Sequence, residues 1–451
     1  MAKVLEKVIL NWLMKYIKPY FDPDQMGGQK GHSISHYLVE VSNFILYNQD
    51  LKNPNAIFAL FVDFSQGFNR VLFSRIIELL SKMRVPGWLL KIMTSYFTDR
   101  KMKIRFKGLT SEEKSLNAGL GQGSLLGLWC FLVLINFAGP QSPPREIGLK
   151  VTGHQKFRKP IPVLKKLWVD DLVIMTAVDL KSSAVSDPSL GKEGPVPYHS
   201  RTHHSLPEEN NVLQQEATKL QKFAEDNFMK INQLKTKVAI FNPLSTVDVV
   251  PKISCDGKTH LEVVEEYKLL GQILSTDMKT MKNTKHILKK AYSKMYMLHR
   301  LNKLGCPKNE MIEVLKQQIL CMAEQAVPFW GPSITKVESR MIEGILKTGL
   351  HIILKDEYVS FQKALKKTGL KSMAQRRKNM IFKFAKNAER SPKFSSWFVK
   401  SDVQVNKRLK PKHTYKPVTC RTNRYERSSL PVLTKAVSWH LPKMYIAPQV
   451  Y

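Results

Sequence analysis

The stretch Leu167-Trp168-Val169-Asp170-Asp171-Leu172-Val173-Ile174-Met175 places two adjacent carboxylates between apolar segments. A third carboxylate, Asp63, ends the apolar run Ala56-Ile57-Phe58-Ala59-Leu60-Phe61-Val62. Adjacent carboxylates repel each other, and burial raises the cost of keeping both charged. We therefore expect that a cation or a chemical function holds these groups in place. Three carboxylates on neighbouring strands can hold two divalent metal ions and clamp a transferring phosphoryl group.

The composition indicates a polyanionic partner. The chain has 451 residues, with 71 Lys and Arg against 37 Asp and Glu, and a formal net charge of +34. Such a surplus is typical of proteins that bind nucleic acid, because each neutralised phosphate releases counterions. From composition alone, loose binding to other acidic surfaces stays an alternative. The hydrophobic content of 43% indicates a globular chain. Charge and carboxylates together predict the palm of a polymerase.

Cysteine spacing and hydropathy argue against a secreted or membrane protein. Five cysteines stand far apart without a CxxC pair, so neither a zinc knuckle nor a disulfide framework is expected. This usage fits a reducing compartment and no signal-peptide pattern is present, so we expect the nucleus or the cytoplasm. The apolar segment 125–138 is shorter than the roughly 20 residues of a bilayer span. We predict that this segment is a buried helix and that there is no membrane partner.

Local patterns predict the elements around the carboxylates. Residues 164–176 are expected to form a hairpin with the Asp pair at its tip, and residues 101–106 a half-exposed strand. Residues 265–274 are predicted to be one further strand. Residues 284–301 are predicted to be one basic amphipathic helix. Residues 181–211 are rich in Ser, Pro, Gly and His without periodicity, which indicates a surface insertion.

Five short motifs follow one another along the chain. They are Asp63-Phe64-Ser65-Gln66-Gly67-Phe68-Asn69-Arg70-Val71, Gly119-Leu120-Gly121-Gln122-Gly123-Ser124-Leu125-Leu126-Gly127, Trp168-Val169-Asp170-Asp171, Met229-Lys230-Ile231-Asn232-Gln233-Leu234-Lys235-Thr236-Lys237 and Tyr267-Lys268-Leu269-Leu270-Gly271. In this order they resemble four palm motifs and the primer-grip motif of reverse transcriptases from non-LTR (LINE-type) retrotransposons. Each motif is weak alone, whereas five in order are strong. The resemblance extends from Lys3 to about Phe398 and points to a jockey-like element.

This resemblance implies an α+β protein with the right-hand polymerase fold, which has fingers, an antiparallel-sheet palm and a helical thumb. Fingers and palm are expected over residues 1–274, with a loop insertion at 181–211. The thumb is expected over residues 275–349 and a C-terminal helical region over residues 350–398. Residues 399–451 are expected to form a basic, poorly ordered tail.

The implied activity is RNA-directed DNA polymerisation by two-metal nucleotidyl transfer. Asp63 and Asp170 would ligate two Mg²⁺ ions, with Asp171 close by, and Mn²⁺ is the alternative metal. Lys235 would lie near the triphosphate as a proton donor to pyrophosphate, unless it is a solvated surface lysine. The implied partners are an RNA template, a DNA primer or target DNA, dNTPs and, in a ribonucleoprotein, the element's own RNA.

The resemblance also implies nucleotide-binding residues. Phe68, five positions after Asp63, would crowd the 2′-hydroxyl and favour dNTPs over rNTPs, although an ordinary core aromatic is the alternative. Gln122 and Gly123 would let the backbone approach the template and the incoming base, because glycine has no Cβ. The other residues expected to bind the nucleotide are Phe64 and Lys30.

Primer and duplex contacts are expected further along the chain. Tyr267, Leu270 and Gly271 would position the primer end, unless they are only a sheet edge. The lysine face of the helix predicted after residue 284 would follow the duplex phosphates, with a solvated face as the alternative. Its lysines are Lys285, Lys289 and Lys294.

Some positions depart from the family pattern. Gly121 stands where the family usually has Pro, Gly67 where it has Ala, and Gln29 where it often has Arg. The chain begins within the first conserved fingers block and carries no endonuclease domain, so a copy truncated at the N-terminus is expected. Two alternatives therefore stay open. One is a catalytically silent remnant that binds nucleic acid, and the other is an RNA-templated RNA polymerase, against which Phe68 argues.

Overall fold

The computed structural model describes residues 2–121, 123–138, 163–178, 212–243, 253–401 and 414–438. The chain forms two compact units. The first comprises residues 1–32, 57–240 and 244–264, and the second comprises residues 33–56, 241–243 and 265–451. Helices and strands occur in both units, so the predicted α+β class is confirmed. The domain boundaries at residues 274, 349 and 398 stay predictions.

The described residues contain the following elements. The strands are β1 Ala56–Val62, β2 Lys101–Met102, β3 Arg105–Phe106, β4 Leu109–Thr110, β5 Lys114–Ser115, β6 Val163–Trp168, β7 Asp171–Val178, β8 Lys237–Phe241, β9 Glu266–Leu269 and β10 Gln272–Ser275. The α-helices are α1 Ala2–Ile17, α2 Ile34–Gln49, α3 Gly67–Arg70, α4 Phe73–Lys82, α5 Gly87–Phe97, α6 Leu125–Ile135, α7 Val212–Asp226, α8 Met281–Tyr292, α9 Met295–Lys303, α10 Lys308–Val314, α11 Cys321–Glu324, α12 Val327–Trp330, α13 Lys336–Leu354, α14 Phe361–Thr368, α15 Met373–Arg390, α16 Asn423–Glu426 and α17 Ser429–Ser438. Short 3₁₀ turns span Lys18–Tyr20, Lys355–Glu357 and Ser395–Trp397, and a π-helical turn spans Leu315–Leu320.

A four-stranded sheet in the order β6-β7-β1-β8 lies at the centre of the first unit. All seven residues of β1 are buried, as expected for a short, continuous apolar strand. β6 and β7 pair antiparallel with Trp168 opposite Asp171, so the hairpin predicted over residues 164–176 is confirmed. β7 lies beside β1. The strands next to Asp63 and Asp171 are therefore neighbours, as predicted.

The apolar segment before residue 138 forms α6, which packs inside the first unit. Its residues Cys130, Phe131 and Leu132 are buried, so the predicted buried helix is confirmed. The helix begins at Ser124, whose Oγ accepts a hydrogen bond from the Gly127 N–H at 2.9 Å. Among the described helices, none combines the length and apolarity that crossing a bilayer requires.

Two predicted elements are wrong. Residues 265–274 form the hairpin β9–β10 and not one strand, because Leu270 and Gly271 adopt φ values of 47° and 81° and reverse the chain. Residues 284–301 are divided between α8 and α9. At the junction the Lys294 N–H donates to the Ala291 carbonyl oxygen, an i→i−3 bond that tightens the turn. Apolar periodicity continues across this break, so the pattern did not reveal it.

The expected exposure of residues 101–106 and the expected disorder of the tail are also corrected. Residues 101–106 are fully exposed and divided between β2 and β3. Residues 414–438 include α16 and α17, and Tyr425 is buried. The Asp50 carboxylate accepts hydrogen bonds from the Arg421 and Thr422 N–H groups at 2.8 and 2.7 Å, a distant contact that composition cannot reveal. The predicted insertion at 181–211 lies outside the described residues.

Candidate active site

Asp63 follows β1, and residues of the fourth motif, Met229 to Lys237, form hydrogen bonds with its backbone. The Asp63 N–H donates to Thr236 Oγ1 at 3.2 Å, and its carbonyl oxygen accepts from the Asn232 N–H at 2.8 Å. Thr236 is buried, so these bonds fix the path of the chain after β1. The same turn brings Lys235 Nζ to 4.0 Å from Asp63 Oδ2. Because the Lys235 side chain is 70% exposed, this ion pair is weak and its amine stays accessible to another anion.

The β6–β7 hairpin presents the adjacent carboxylates at a two-residue turn. Val169 and Asp170 form the turn between the paired residues Trp168 and Asp171. Val169 has a φ of 61°, a left-handed conformation that a β-branched residue rarely adopts. Such strain persists only where the surrounding structure enforces it, and it clusters at functional sites.

The enforcing contacts come from a loop that the sequence analysis did not assign to the site. Gln25 Oε1 accepts hydrogen bonds from the Val169 N–H at 3.2 Å and from the Gly27 N–H at 3.0 Å. A Cβ on Gly27 would lie 2.4 Å from Val169 N, so the close approach requires glycine. The pair Gly27-Gly28 within a turn-rich stretch was the one local signal of this role.

A buried ion pair holds the same loop against β6. Lys166 Nζ lies 2.7 Å from Asp24 Oδ1, and each side chain is 3% exposed. Removing one member of such a pair would leave an uncompensated buried charge. The loop 24–27 and the strand that leads into the Asp170 turn are therefore fixed to each other.

Burial and mutual repulsion disfavour the charged forms of the paired aspartates. Burial raises the pKa of Asp171 to about 6, with further contributions from the charges of Asp170 and Asp63. Burial also raises the pKa of Asp170, and Asp63 adds to that shift. Thus all three carboxylates are near enough to interact electrostatically.

The donor set suits a hard divalent cation. Carboxylate oxygens are preferred ligands of Mg²⁺ and Mn²⁺, and a bound cation would offset both the cost of burying these charges and their mutual repulsion. In the part of the chain that the structure describes, no three His, Cys, Asp or Glu side chains already converge as ligands of one ion. Asp63, Asp170 and Asp171 are thus brought near one another without forming a closed cage.

The glycine-rich second motif runs beside α3, which follows Asp63. The Leu120 N–H donates to the Phe68 carbonyl oxygen at 2.9 Å. Gly123 has a φ of 90°, a left-handed conformation that favours glycine. A Cβ there would meet no heavy atom within 4 Å, so glycine is not required to avoid a steric clash. Gln122, the residue expected to contact the template, lies outside the described residues.

The remaining nucleotide-binding candidates differ in accessibility. The Phe68 ring stacks on Phe131 with ring centroids 4.3 Å apart and is half-buried, which leaves part of it open. The Phe64 ring is buried, so only its backbone adjoins the site. Lys30 is exposed.

Two positions that depart from the family pattern, Gly121 and Gly67, differ in the room that the structure leaves for a side chain. Gly121 lies outside the left-handed region, and a Cβ there would be 3.8 Å from Ser124 Cβ, an ordinary contact. Nothing in the structure therefore requires glycine at residue 121. A Cβ on Gly67 would lie 3.2 Å from the Phe131 ring, so a larger residue is restricted there.

Glu6 anchors the start of α6, next to the glycine-rich motif. Its Oε2 accepts from the Leu125 N–H at 2.8 Å, and its Oε1 accepts from Ser124 Oγ at 2.9 Å. The Tyr96 hydroxyl also donates to Oε1 at 3.2 Å. A carboxylate at a helix N-terminus satisfies free N–H groups and interacts favourably with the helix dipole. Sequence reasoning missed this residue, because Glu6 precedes Ser124 by 118 positions.

Replacing Glu6 with alanine is expected to loosen the start of α6. Loss of a helix cap typically costs about 1 kcal/mol of unfolding free energy, and hydrogen exchange at the Leu125 amide should accelerate. Asn136→Ala is the matched control, because Asn136 accepts from the Asp22 N–H at 2.7 Å at the opposite end of α6. If both variants accelerate exchange at Leu125 equally, Glu6 has no local role at the glycine-rich motif.

The primer-grip candidates lie in the second unit, on the β9–β10 hairpin. Tyr267 is half-buried in β9, and Leu270 and Gly271 form the two-residue turn. Lys290 Nζ donates to the Gly271 carbonyl oxygen at 3.3 Å, and burial lowers the pKa of Lys290. A Cβ on Gly271 would be 3.3 Å from the Gln325 side chain. Lys290 and Gln325 are contacts that the sequence analysis did not assign.

The three lysines expected on one duplex-binding face are not on one helix. Lys285 and Lys289 are exposed on α8, whereas Lys294 is half-buried at the start of α9. The break between the two helices therefore removes Lys294 from the predicted face. Lys285 and Lys289 keep the exposure that phosphate binding requires.

Residues 1–183 match the family described as "Reverse transcriptase (RNA-dependent DNA polymerase)". The match includes the β6–β7 turn and Asp63, so this part of the chain is a reverse-transcriptase domain. Strands β1, β6 and β7 of the central sheet lie within the matched residues. Reverse transcriptases generally use divalent metal ions.

The curated relatives are polymerases of mobile elements. The chain is 23% identical over 313 residues to the RNA-directed DNA polymerase from mobile element jockey of Drosophila melanogaster, which is 69% of this chain and 29% of that protein. A probable RNA-directed DNA polymerase from transposon BS of the same species is 28% identical over 129 residues, 28% of this chain and 14% of that one. The predicted kinship with jockey-like non-LTR elements is confirmed. The chain spans less than a third of the length of these relatives.

A solved structure of apo telomerase from Candida tropicalis is also similar to this chain. It has a TM-score of 0.41 and 11% sequence identity, over 86% of this chain and 54% of that one.

Proposed function

We propose that this chain is an RNA-directed DNA polymerase that extends a primer 3′-hydroxyl with dNTPs. The observation that carries the proposal is the approach of Asp63 to the Asp170-Asp171 turn inside a reverse-transcriptase domain. Polymerases need clustered negative oxygens to hold cations beside the triphosphate. Burial is the main cause of the raised pKa values of Asp170 and Asp171, and the smaller contribution from neighbouring carboxylates is a repulsion that a bound cation would relieve.

The roles of the residues follow from their positions. Asp63, Asp170 and Asp171 would hold divalent cations, for which we propose Mg²⁺ with Mn²⁺ as the substitute. Such cations supply charge neutralisation at the triphosphate and lower the pKa of a bound hydroxyl. Lys235, with its exposed amine 4.0 Å from Asp63, is suited to bind the pyrophosphate leaving group and donate a proton to it.

We propose as partners an RNA template, a DNA primer or target DNA, and the element's own RNA in a ribonucleoprotein. The net charge of +34 supports a nucleic-acid partner. The proposed compartment is the nucleus or the cytoplasm, because these compartments hold nucleic acid and keep isolated cysteines reduced.

Primer extension tests the proposal directly. The purified chain, an RNA template annealed to a DNA primer, and dNTPs should give extension with Mg²⁺ or Mn²⁺ and none with a chelator. Comparing the two metals decides which one supports the faster rate. Duplex binding without extension under every metal condition would reject the polymerase and favour the silent remnant.

Phe68→Ala is expected to weaken discrimination against rNTPs. Removing a ring that crowds the 2′-hydroxyl should lower the ratio of kcat/KM for dNTP over rNTP by about 10- to 200-fold, the usual range for a pocket that loses bulk. Phe68→Tyr keeps the bulk and serves as the control. An unchanged ratio together with a lower thermal midpoint would return Phe68 to the role of a core aromatic that stacks on Phe131.

A further inference from the structure

Residues 100–116 form a two-stranded arm, here called the basic ribbon, in which residues 101–115 are exposed. β2 pairs with β5 at its base, and β3 pairs with β4 near its tip. Lys107 and Gly108 form the turn with φ values of 48° and 83°. The Leu116 N–H continues the ladder by donating to the Arg100 carbonyl oxygen at 2.8 Å. The arm is therefore a hairpin held by two short ladders whose registers differ by one residue.

The two faces of the basic ribbon differ in chemistry, because side chains alternate across a strand. One face carries Lys101, Lys103 and Arg105. The other carries Lys114, opposite Met102, and apolar side chains that are unusually exposed for their size. These are Met102, 48% exposed, Ile104, 61%, Phe106, 67%, and Leu109, 77%. Phe106 and Leu109 are cross-strand partners next to the turn, so the most exposed apolar groups lie at the tip.

The excess of positive charge on the basic ribbon favours binding of a polyanion. Between residues 100 and 116 there are six basic and two acidic side chains. Glu113 is already engaged, since it lies 2.9 Å from Lys101 Nζ and 3.1 Å from Lys103 Nζ, and their hydrogen bonds lower its pKa. Lys107 Nζ lies 5.5 Å from the centre of the Phe106 ring. Arg105 and Lys107 therefore bring positive charge next to the apolar tip.

We propose that the basic ribbon binds a groove of duplex nucleic acid, with its basic face on phosphates and its apolar tip against the bases. A two-stranded ribbon fits into the major groove, and apolar wedges such as Phe and Leu enter between base steps in the minor groove. This inference rests on the nucleic-acid partner of the proposed function but requires no polymerisation. The proposed occupant is a B-form DNA duplex, because the A-form major groove of an RNA–DNA hybrid is too deep and narrow for side chains to read.

Equilibrium binding of the full chain to short blunt duplexes, without dNTPs and across a range of salt, tests the charged face. Arg105→Ala/Lys107→Ala should reduce the log–log salt slope by about 2, because each lost phosphate contact lowers it by about 1. Lys91→Ala/Lys222→Ala removes two exposed lysines from α5 and α7 of the same unit and should leave the slope nearly unchanged. Equal decreases in both double variants would overturn the assignment of phosphate contacts to the ribbon.

The apolar tip needs a separate readout. Phe106→Ser/Leu109→Ser should weaken duplex affinity about tenfold without changing the salt slope, because it removes no charge. A fluorescent adenine analogue within the duplex should brighten when the wild-type chain unstacks its neighbours, and should not brighten with this variant. Val359→Ser, at another exposed apolar position, is the control.

Two results would overturn the proposal. One is unchanged duplex affinity in the Phe106→Ser/Leu109→Ser variant together with a loss of self-association measured by sedimentation, which would make the tip a contact between copies. The other is unchanged duplex affinity with lost binding to anionic lipid vesicles, which would make it a membrane contact. Because the assay uses no primer extension, an inactive polymerase with a functional ribbon would still be recognised.

Discussion

Asp170→Asn is expected to lower the rate of primer extension at least about a thousandfold while the chain stays folded. The amide keeps the size of the side chain and removes the charge that would hold a cation. Charge stabilisation by a bound metal is worth several kcal/mol, and about 4 kcal/mol corresponds to that factor. Single-turnover extension at saturating Mg²⁺ measures the loss. Asp226→Asn, which changes an exposed carboxylate of α7, should keep the wild-type rate.

Asp170→Asn is also not expected to lower the thermal midpoint measured in chelator. The reason is the direction of the pKa shifts at Asp170 and Asp171. A carboxyl whose pKa is raised by folding favours the folded state below its unfolded pKa, and this contribution is lost as pH rises through the folded pKa. For Asp171 this stabilising contribution is lost as the pH rises from about 4, the pKa of an unfolded aspartate, to about 6, the pKa in the folded chain. Thermal midpoints in chelator should therefore fall over this window in the wild type and fall less in Asp171→Asn. A midpoint that drops strongly in Asp170→Asn would show that the carboxylate stabilises the fold and would weaken its assignment to metal binding.

Gly27→Ala is expected to lower the extension rate by about a hundredfold although residue 27 bears no functional group. The new Cβ would lie 2.4 Å from Val169 N and 2.9 Å from Trp168 C, so the backbone of the Val169–Asp170 turn must move. A displacement of about 1 Å at reacting groups can cost about that factor. Overpacking of this kind typically also costs about 1–3 kcal/mol of unfolding free energy.

Gly87→Ala is the matched control for this clash. Gly87 begins α5, and a Cβ there would meet nothing within 4 Å. Alanine is a better helix former than glycine, so this variant should be neutral or slightly more stable and fully active. Wild-type extension rates in Gly27→Ala would mean that the Gln25–Gly27 loop does not hold the Asp170 turn in the active chain.

The Val169–Asp170 turn gains its shape from outside its own hairpin. Val169 occupies a conformation that its branched side chain disfavours, and the hydrogen bond from its N–H to Gln25 Oε1 helps to hold it there. The buried Lys166–Asp24 pair fixes the adjoining strand. Strain at the turn and rigid contacts around it are the combination expected where carboxylates must be held close despite their repulsion.

Short-range sequence patterns were sufficient to predict the central structural features of this protein. An uninterrupted apolar run predicted the buried strand β1, and apolar segments around an Asp pair predicted the β6–β7 hairpin. Five motifs in order predicted the reverse-transcriptase domain. These signals are readable because strand formation, turn formation and motif spacing depend on residues that are close in the chain.

The contacts that hold the site in place depended on the tertiary structure. Glu6 caps α6 across 118 positions, and Gln25 supports Val169 across 144. The predicted strand over 265–274 and the predicted helix over 284–301 failed for a related reason. Apolar periodicity reports which face is buried and not where a chain reverses or a helix tightens, and those points were set by backbone geometry at Leu270-Gly271 and Lys294. A single glutamate or glutamine has no local signature of a distant partner, because the energy of its hydrogen bonds exists only once the chain has folded.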